Sequence, residues 1–103
     1  MEELTINIRN YIESGTKILA GRSKGKRCRE QNKLDELDKS DKKVIIVVDD
    51  RFKSLNSSFW LGMFGKSVRD LGAEKFNNKY KFNCKKVFKD TIYTRFISQA
   101  LRY

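Results

Sequence analysis

Val44-Ile45-Ile46-Val47-Val48-Asp49-Asp50, followed after a short polar stretch by Ser57-Ser58-Phe59-Trp60-Leu61-Gly62-Met63-Phe64-Gly65, decides the fold. An unbroken Val/Ile run reads as a strand buried on both faces, and such strands belong to sheets covered by helices. The second stretch reads as the start of a helix. Asn56, Ser57 and Ser58 are all capping residues, and Leu61, Phe64, Val68 and Leu71 fall at helical spacing on one face. Gly62 and Gly65 would let that helix approach a sheet closely. The pair of elements therefore presents two serine hydroxyls at the start of a helix that follows a buried strand.

Working outward, Leu4 to Ile8 alternates apolar and polar residues as a half-buried strand does, with Tyr11-Ile12 extending or following it. Thr16 to Ala20, between Gly15 and Gly21, reads as a short strand or extended connector. Residues 22–37 are expected to form one helix with a thin apolar stripe of Cys28, Leu34 and Leu37, and Asp38 to Lys43 a charged turn. Gly72 suits a helix C-cap, Ala73 to Asn78 a further helical turn, and Lys79 to Asn83 a short edge strand with Tyr80 and Phe82 on one face. From about Lys85 to Leu101 a broad helical stripe carries Phe88, Ile92, Phe96 and Ala100 beside Tyr93, Ile97 and Leu101. Strands separated by helices make an α/β fold with a parallel crossover. We expect one domain over residues 1–103: a single layer of mixed sheet, about four strands, with helices packed mainly on one face.

The order of these segments resembles the STAS domains of bacterial anti-sigma factor antagonists. More closely, it resembles the STAS-like domain-of-unknown-function family of small bacterial and phage proteins. The residues that carry the likeness are Gly21-Arg22-Ser23-Lys24-Gly25-Lys26-Arg27 with Arg29-Glu30, then the Val/Ile strand, then Ser57-Ser58-Phe59 through Phe64-Gly65. They span residues 21–72, about half the chain. Asn56 stands where phosphorylatable STAS proteins have Asp, and Phe59 where many have Gly. The resemblance implies a non-catalytic regulatory domain that engages a partner protein, with a kinase-like ATPase as a candidate, around Asn56, Ser57, Ser58 and Phe59. It also implies Ser58, or else Ser57, as the phosphorylated hydroxyl.

Composition narrows the chemistry. The chain has no histidine, which removes the commonest general base and metal ligand, and its two cysteines suit neither a disulfide framework nor a metal site. We expect free thiols, no cofactor and no metal. Asp49 and Asp50 end the strand, but neighbouring strand residues point to opposite faces and cannot act as a pair; Asp35, Glu36, Asp38 and Asp41 read as solvated surface. Gly21 and Gly25 are one residue too close for a phosphate-binding Walker loop, and Arg27 replaces its Ser or Thr. No enzyme is expected. With no apolar run near 18 residues and no leader pattern, the expectation is a cytoplasmic protein that does not enter the membrane.

Charge gives the rival reading. Twenty-three Lys and Arg against thirteen Asp and Glu leave a net +10. Arg22, Lys24, Lys26, Arg27, Arg29 and Lys33 form one cluster. Lys75, Lys79, Lys81, Lys85, Lys86 and Lys89 form another, interleaved with Phe76, Tyr80, Phe82 and Phe88. Basic residues alternating with aromatics can hold single-stranded nucleic acid by phosphate contacts and base stacking; the same pattern also arises when aromatics face a core and lysines face water. The alternative function is thus a nucleic-acid-binding protein using the Arg22–Arg29 and Lys75–Lys89 surfaces, or an inhibitor of a nucleic-acid-processing enzyme that uses the same charge.

Overall fold

The computed structural model describes residues 2–102. The chain runs β1 (Glu3–Asn7), a 3-10 turn (Ile8–Tyr11), β2 (Ile18–Leu19), α1 (Arg22–Gln31), α2 (Leu34–Asp38), β3 (Lys43–Val47) and β4 (Ser54–Leu55). It continues through α3 (Ser57–Leu71), α4 (Ala73–Lys79), β5 (Tyr80–Asn83), α5 (Lys86–Thr91), a π-helical turn (Ile92–Phe96) and α6 (Ile97–Leu101). The fold is α/β, as its alternation of elements requires. The strands divide into two parallel sheets, β1-β3-β5 and the small pair β2-β4, in place of one mixed layer.

Register explains which face is covered. Leu4, Val44 and Tyr80 lie side by side across the larger sheet, as do Ile6, Ile46 and Phe82. Of these all but Leu4 are buried, whereas Thr5, Ile45 and Lys81 on the alternate face are not. The order β1-β3-β5 steps in one direction, and crossovers of one hand that step one way leave their helices on one face. So the helices lie on one face, and the central strand is buried on that face alone. Ile45 and Val47 are half-buried on the other. Their apolar character is what makes the strand read as buried on both sides.

Against the covered face lies α3. From Phe59 to Val68 only Lys66 is exposed, so this helix is apolar almost all round and forms the centre of the core. Trp60 packs on Phe64, Phe76 and Phe96 with ring centroids 5.3, 5.8 and 5.7 Å apart, and Phe64 meets Phe82 edge-on at 5.2 Å. The Trp60 indole N–H is buried without a hydrogen-bond partner among the described residues. The aromatics interleaved with lysines, Phe76, Tyr80, Phe82 and Phe88, all belong to this core.

Two glycines set how α1 meets α3. A Cβ on Gly25 would stand inside contact distance of the Phe59 carbonyl oxygen and 2.9 Å from the Met63 nitrogen. One on Gly62 would collide with the Arg22 carbonyl oxygen and come 3.1 Å from the Arg22 Cα. The two backbones therefore touch. Gly62 serves α1 and not the sheet, and a Cβ on Gly65 would come within 3.1 Å of the far end of the Arg69 side chain, with the Leu61 Cβ in ordinary contact at 3.9 Å.

The expected single helix over 22–37 is broken. Lys33 adopts a left-handed conformation (φ 54°) and turns the chain into α2. Its reason is Arg29, which is buried and reaches four groups at once. Nη1 donates to the Met63 carbonyl and the Ser67 hydroxyl, both at 2.8 Å; Nη2 donates to Asp35 at 2.7 Å and Asp38 at 3.0 Å. Asp38 accepts further bonds of 2.5 Å from the Ser67 hydroxyl and the Tyr80 phenol. Burial, and then the Asp38 acceptor, push the Tyr80 phenol far above its ordinary range. Asp38 is therefore interior and not solvated surface: it joins α1, α2, α3 and β5.

Removing the space between the helices should be costly. Gly62→Ala is expected to lower unfolding free energy by about 3 kcal/mol in urea titrations, because backbone atoms must move apart. Gly65→Ala should be neutral or stabilising by up to about 1 kcal/mol, since a side-chain tip can yield and alanine favours the helix.

Candidate functional site

Each of α1 and α3 is entered from the small sheet. Backbone N–H of Asn56 donates to the Leu19 carbonyl at 2.8 Å, so the chain leaving β4 runs beside the chain leaving β2. Gly21, with φ 95°, turns the latter into α1, and its N–H donates to the Ser58 hydroxyl at 3.1 Å. The two helices thus begin together, and their positive N-terminal ends reinforce each other. The Asn56 side chain does not cap α3; its Oδ1 accepts from the Ser54 hydroxyl at 3.1 Å.

Two clefts flank this point, and both include Ser57 and Ser58. One, of about 300 Å³, is completed by Arg22, Leu61, Gln99 and Arg102. The other, of about 420 Å³, is completed by Leu55, Asn56, Thr91, Arg95 and Phe96. The Ser57 hydroxyl makes no hydrogen bond among the described residues, while that of Ser58 is held by Gly21. Gln99 adds a buried Oε1 without a hydrogen-bond partner among the described residues. The site is a pair of hydroxyls between clefts edged by three arginines, which suits an acidic or phosphorylated surface.

Asn56, Ser57 and Ser58 are brought together here; Phe59 is not. Phe59 is 1 % exposed and packs in the core, because α3 is enclosed almost all round from Phe59 to Val68. The C-terminal helix supplies what the sequence reading lacked. Arg95, Gln99 and Arg102 follow i, i+4, i+7 spacing, a polar stripe beside the apolar one, and that spacing is the signal that could have found them.

The predicted basic surfaces come apart in three dimensions. Arg22 joins the cleft above, Lys24 and Arg27 border a separate cleft with Tyr11 and Thr16, Lys26 is exposed, and Arg29 is the buried centre of an ion-pair network. In the second cluster Lys79 is buried on the Ser40 and Lys42 carbonyls, and Lys85 donates to the Phe52 carbonyl at 2.9 Å. Lys86 pairs with Asp90 at 2.7 Å, and Lys89 is exposed. With its aromatics interior, the Lys75–Lys89 region has no stacking platform of the kind its sequence suggests.

Other reactive groups are subdued. Burial pushes the Cys28 thiol up to about 11 and raises that of the half-buried Cys84, so both stay protonated near neutrality. Asp49 accepts from Arg9 at 3.2 and 3.3 Å and from Arg51 at 2.9 Å. Hydrogen bonds from Arg9, then Arg51, hold its carboxyl well below the usual carboxylate range, which makes it a weak base. Among the described residues no group of His, Cys, Asp and Glu could hold a metal ion, and no helix is long and apolar enough to cross a membrane. No family model, curated protein or solved structure matches the chain.

Two outcomes check this geometry. Ser58→Ala removes the acceptor for Gly21 and should cost about 1 kcal/mol in thermal unfolding, whereas Ser57→Ala should change stability by less than about 0.5 kcal/mol. For Asp49 the sign follows from its depressed ionisation: its contribution is complete above the ordinary aspartate range and is lost as pH falls below it. The stability gap between wild type and Asp49→Asn, from urea midpoints at about pH 7 and about pH 2.5, should therefore narrow on acidification.

Proposed function

We propose that this chain is a STAS-like, non-catalytic regulatory domain that binds a partner protein around the start of α3. Ser57 and Ser58 form the centre of that surface, and phosphorylation of one of them switches it. One observation carries the reading: the two serines lie between two clefts, at the joint start of two helices, with Arg22, Arg95 and Arg102 on the cleft walls. The α/β fold supports the reading, and its STAS-like part rests on the resemblance of residues 21–72. Ser57 is the hydroxyl open to a kinase-like ATPase, because Ser58 is engaged with Gly21. A phosphate there would add about −1.5 to −2 charges against the cleft arginines and change which partner surface the site accepts. By the same resemblance the domain is cytoplasmic and of bacterial or phage origin.

The test is a comparative capture from nuclease-treated host lysate, with bound proteins and modifications identified by mass spectrometry. One stoichiometric protein partner is expected with wild type, at least tenfold depleted with Ser57→Asp and with Arg95→Glu, and retained with Lys81→Gln on the sheet's open face. Phosphate is expected within residues 54–66. A partner held equally by all four proteins, or none held by any, would overturn the reading.

A further inference from the structure

Part of the chain's positive charge is taken up within the fold or by neighbouring carboxylates. Arg29, Lys79 and Lys85 are engaged inside the fold, and Lys66 and Lys86 pair with Asp70 and Asp90 one helical turn away. A concentration remains at the carboxyl edge of the large sheet. There Arg9, Lys17, Arg51 and Lys53 surround a cleft of about 240 Å³ together with Gly15 and Thr16. Thr16 is shared with an adjoining cleft of about 50 Å³, which carries Tyr11, Glu13, Lys24 and Arg27. Six cations thus line two neighbouring clefts that meet at Thr16, and Glu13 and Asp49 are the carboxylates that line or pair with them.

The arrangement is built, because residues far apart in sequence are locked together. The Lys53 N–H donates to the Lys17 carbonyl at 2.6 Å, which sets these two lysines side by side where β2 meets β4. Arg9 is fixed from three directions: by Asp49, by the Thr16 carbonyl at 2.9 Å, and by the Phe52 ring, whose centroid lies 3.8 Å from the guanidinium carbon. Lys17 and Lys53 are exposed and have no ion-pair partner among the described residues. Tyr11, which lines the second cleft, is 38 % exposed as a residue.

We propose that these neighbouring clefts bind the backbone of single-stranded nucleic acid, with one base stacked on Tyr11. Clustered cations suit a chain of phosphates, and an exposed tyrosine beside them suits the sequence-tolerant stacking such ligands use. A protein partner would favour a desolvated apolar centre, which this lining lacks. A duplex keeps its base faces stacked and leaves the tyrosine unused. This surface is distinct from the serine-centred one, so either can fail without the other.

Fluorescence anisotropy with a labelled oligothymidylate of about 12 nucleotides, titrated with the full chain, tests the proposal. Between about 50 and 200 mM salt, log K against log [salt] should fall with a slope of about −2 to −3, the value for three or four phosphates neutralised on a single strand. The double substitution Lys17→Glu, Lys53→Glu should weaken binding at least tenfold and flatten the slope. Tyr11→Ala should weaken it about fivefold or more with the slope unchanged, and Lys75→Gln, Lys89→Gln should stay within about twofold of wild type. The proposal is overturned by any of three results: no saturable binding at about 50 mM salt, equal losses from the two lysine pairs, or equally tight binding of a matched duplex or of polyglutamate.

Discussion

Everything at the working end of this molecule depends on the contact of two backbones at Gly25 and Gly62. Without side chains at those positions α1 can lie against α3 with main-chain atoms touching, and the start of one helix comes level with the start of the other. Only then can the Gly21 N–H reach the Ser58 hydroxyl, and only then can Arg29, one turn beyond Gly25, reach the Met63 carbonyl, one residue beyond Gly62. The network around Asp38 follows from that reach. A guanidinium buried there would be costly if unpaired, and the break at Lys33 brings Asp35 and Asp38 to meet it. Close packing and buried charge are thus one design feature: the glycines create the approach, and the arginine fixes it.

How much of this was legible in the sequence depended on what a period can report. Alternation placed Tyr80 and Phe82 on one face of β5, and helical spacing found Leu61, Phe64 and Val68, because each pattern records a boundary between core and water. Phe59 could not be oriented from the sequence for the same reason. Around α3 there is almost no such boundary, so no stripe distinguishes an anchor for a partner from one more core residue. The Val/Ile strand failed in the opposite direction: Ile45 and Val47 are apolar but only half-buried on the open face. Residue type reported hydrophobicity there, and burial needed the third dimension.

Charge shows the difference between clustering in sequence and clustering in space most clearly. Six cations within residues 22–33 looked like one surface, but a helix distributes successive residues about its axis, sending Arg29 inward, Arg22 toward the serines, and Lys24 and Arg27 toward Tyr11. Arg9, Lys17, Arg51 and Lys53 are spread over more than forty positions, so no local run of charge marks them. Pairing of β2 with β4 assembles them.

That pairing has a simple origin in the way the chain repeats itself. Each of the first two long strands is followed by a loop, a two-residue strand, a long helix and a short one: β1, β2, α1, α2, and then β3, β4, α3, α4. Two such units laid side by side in parallel must bring their corresponding parts together. Strand pairs with strand, helix start meets helix start, and the loop after β1, with Arg9 and Lys17, meets the loop after β3, with Arg51 and Lys53. The basic clefts and the serine site are consequently the two sides of one junction, separated by the β2-β4 pair. A change in how closely the two units approach would act on both, and Gly25 and Gly62 are where that approach is set.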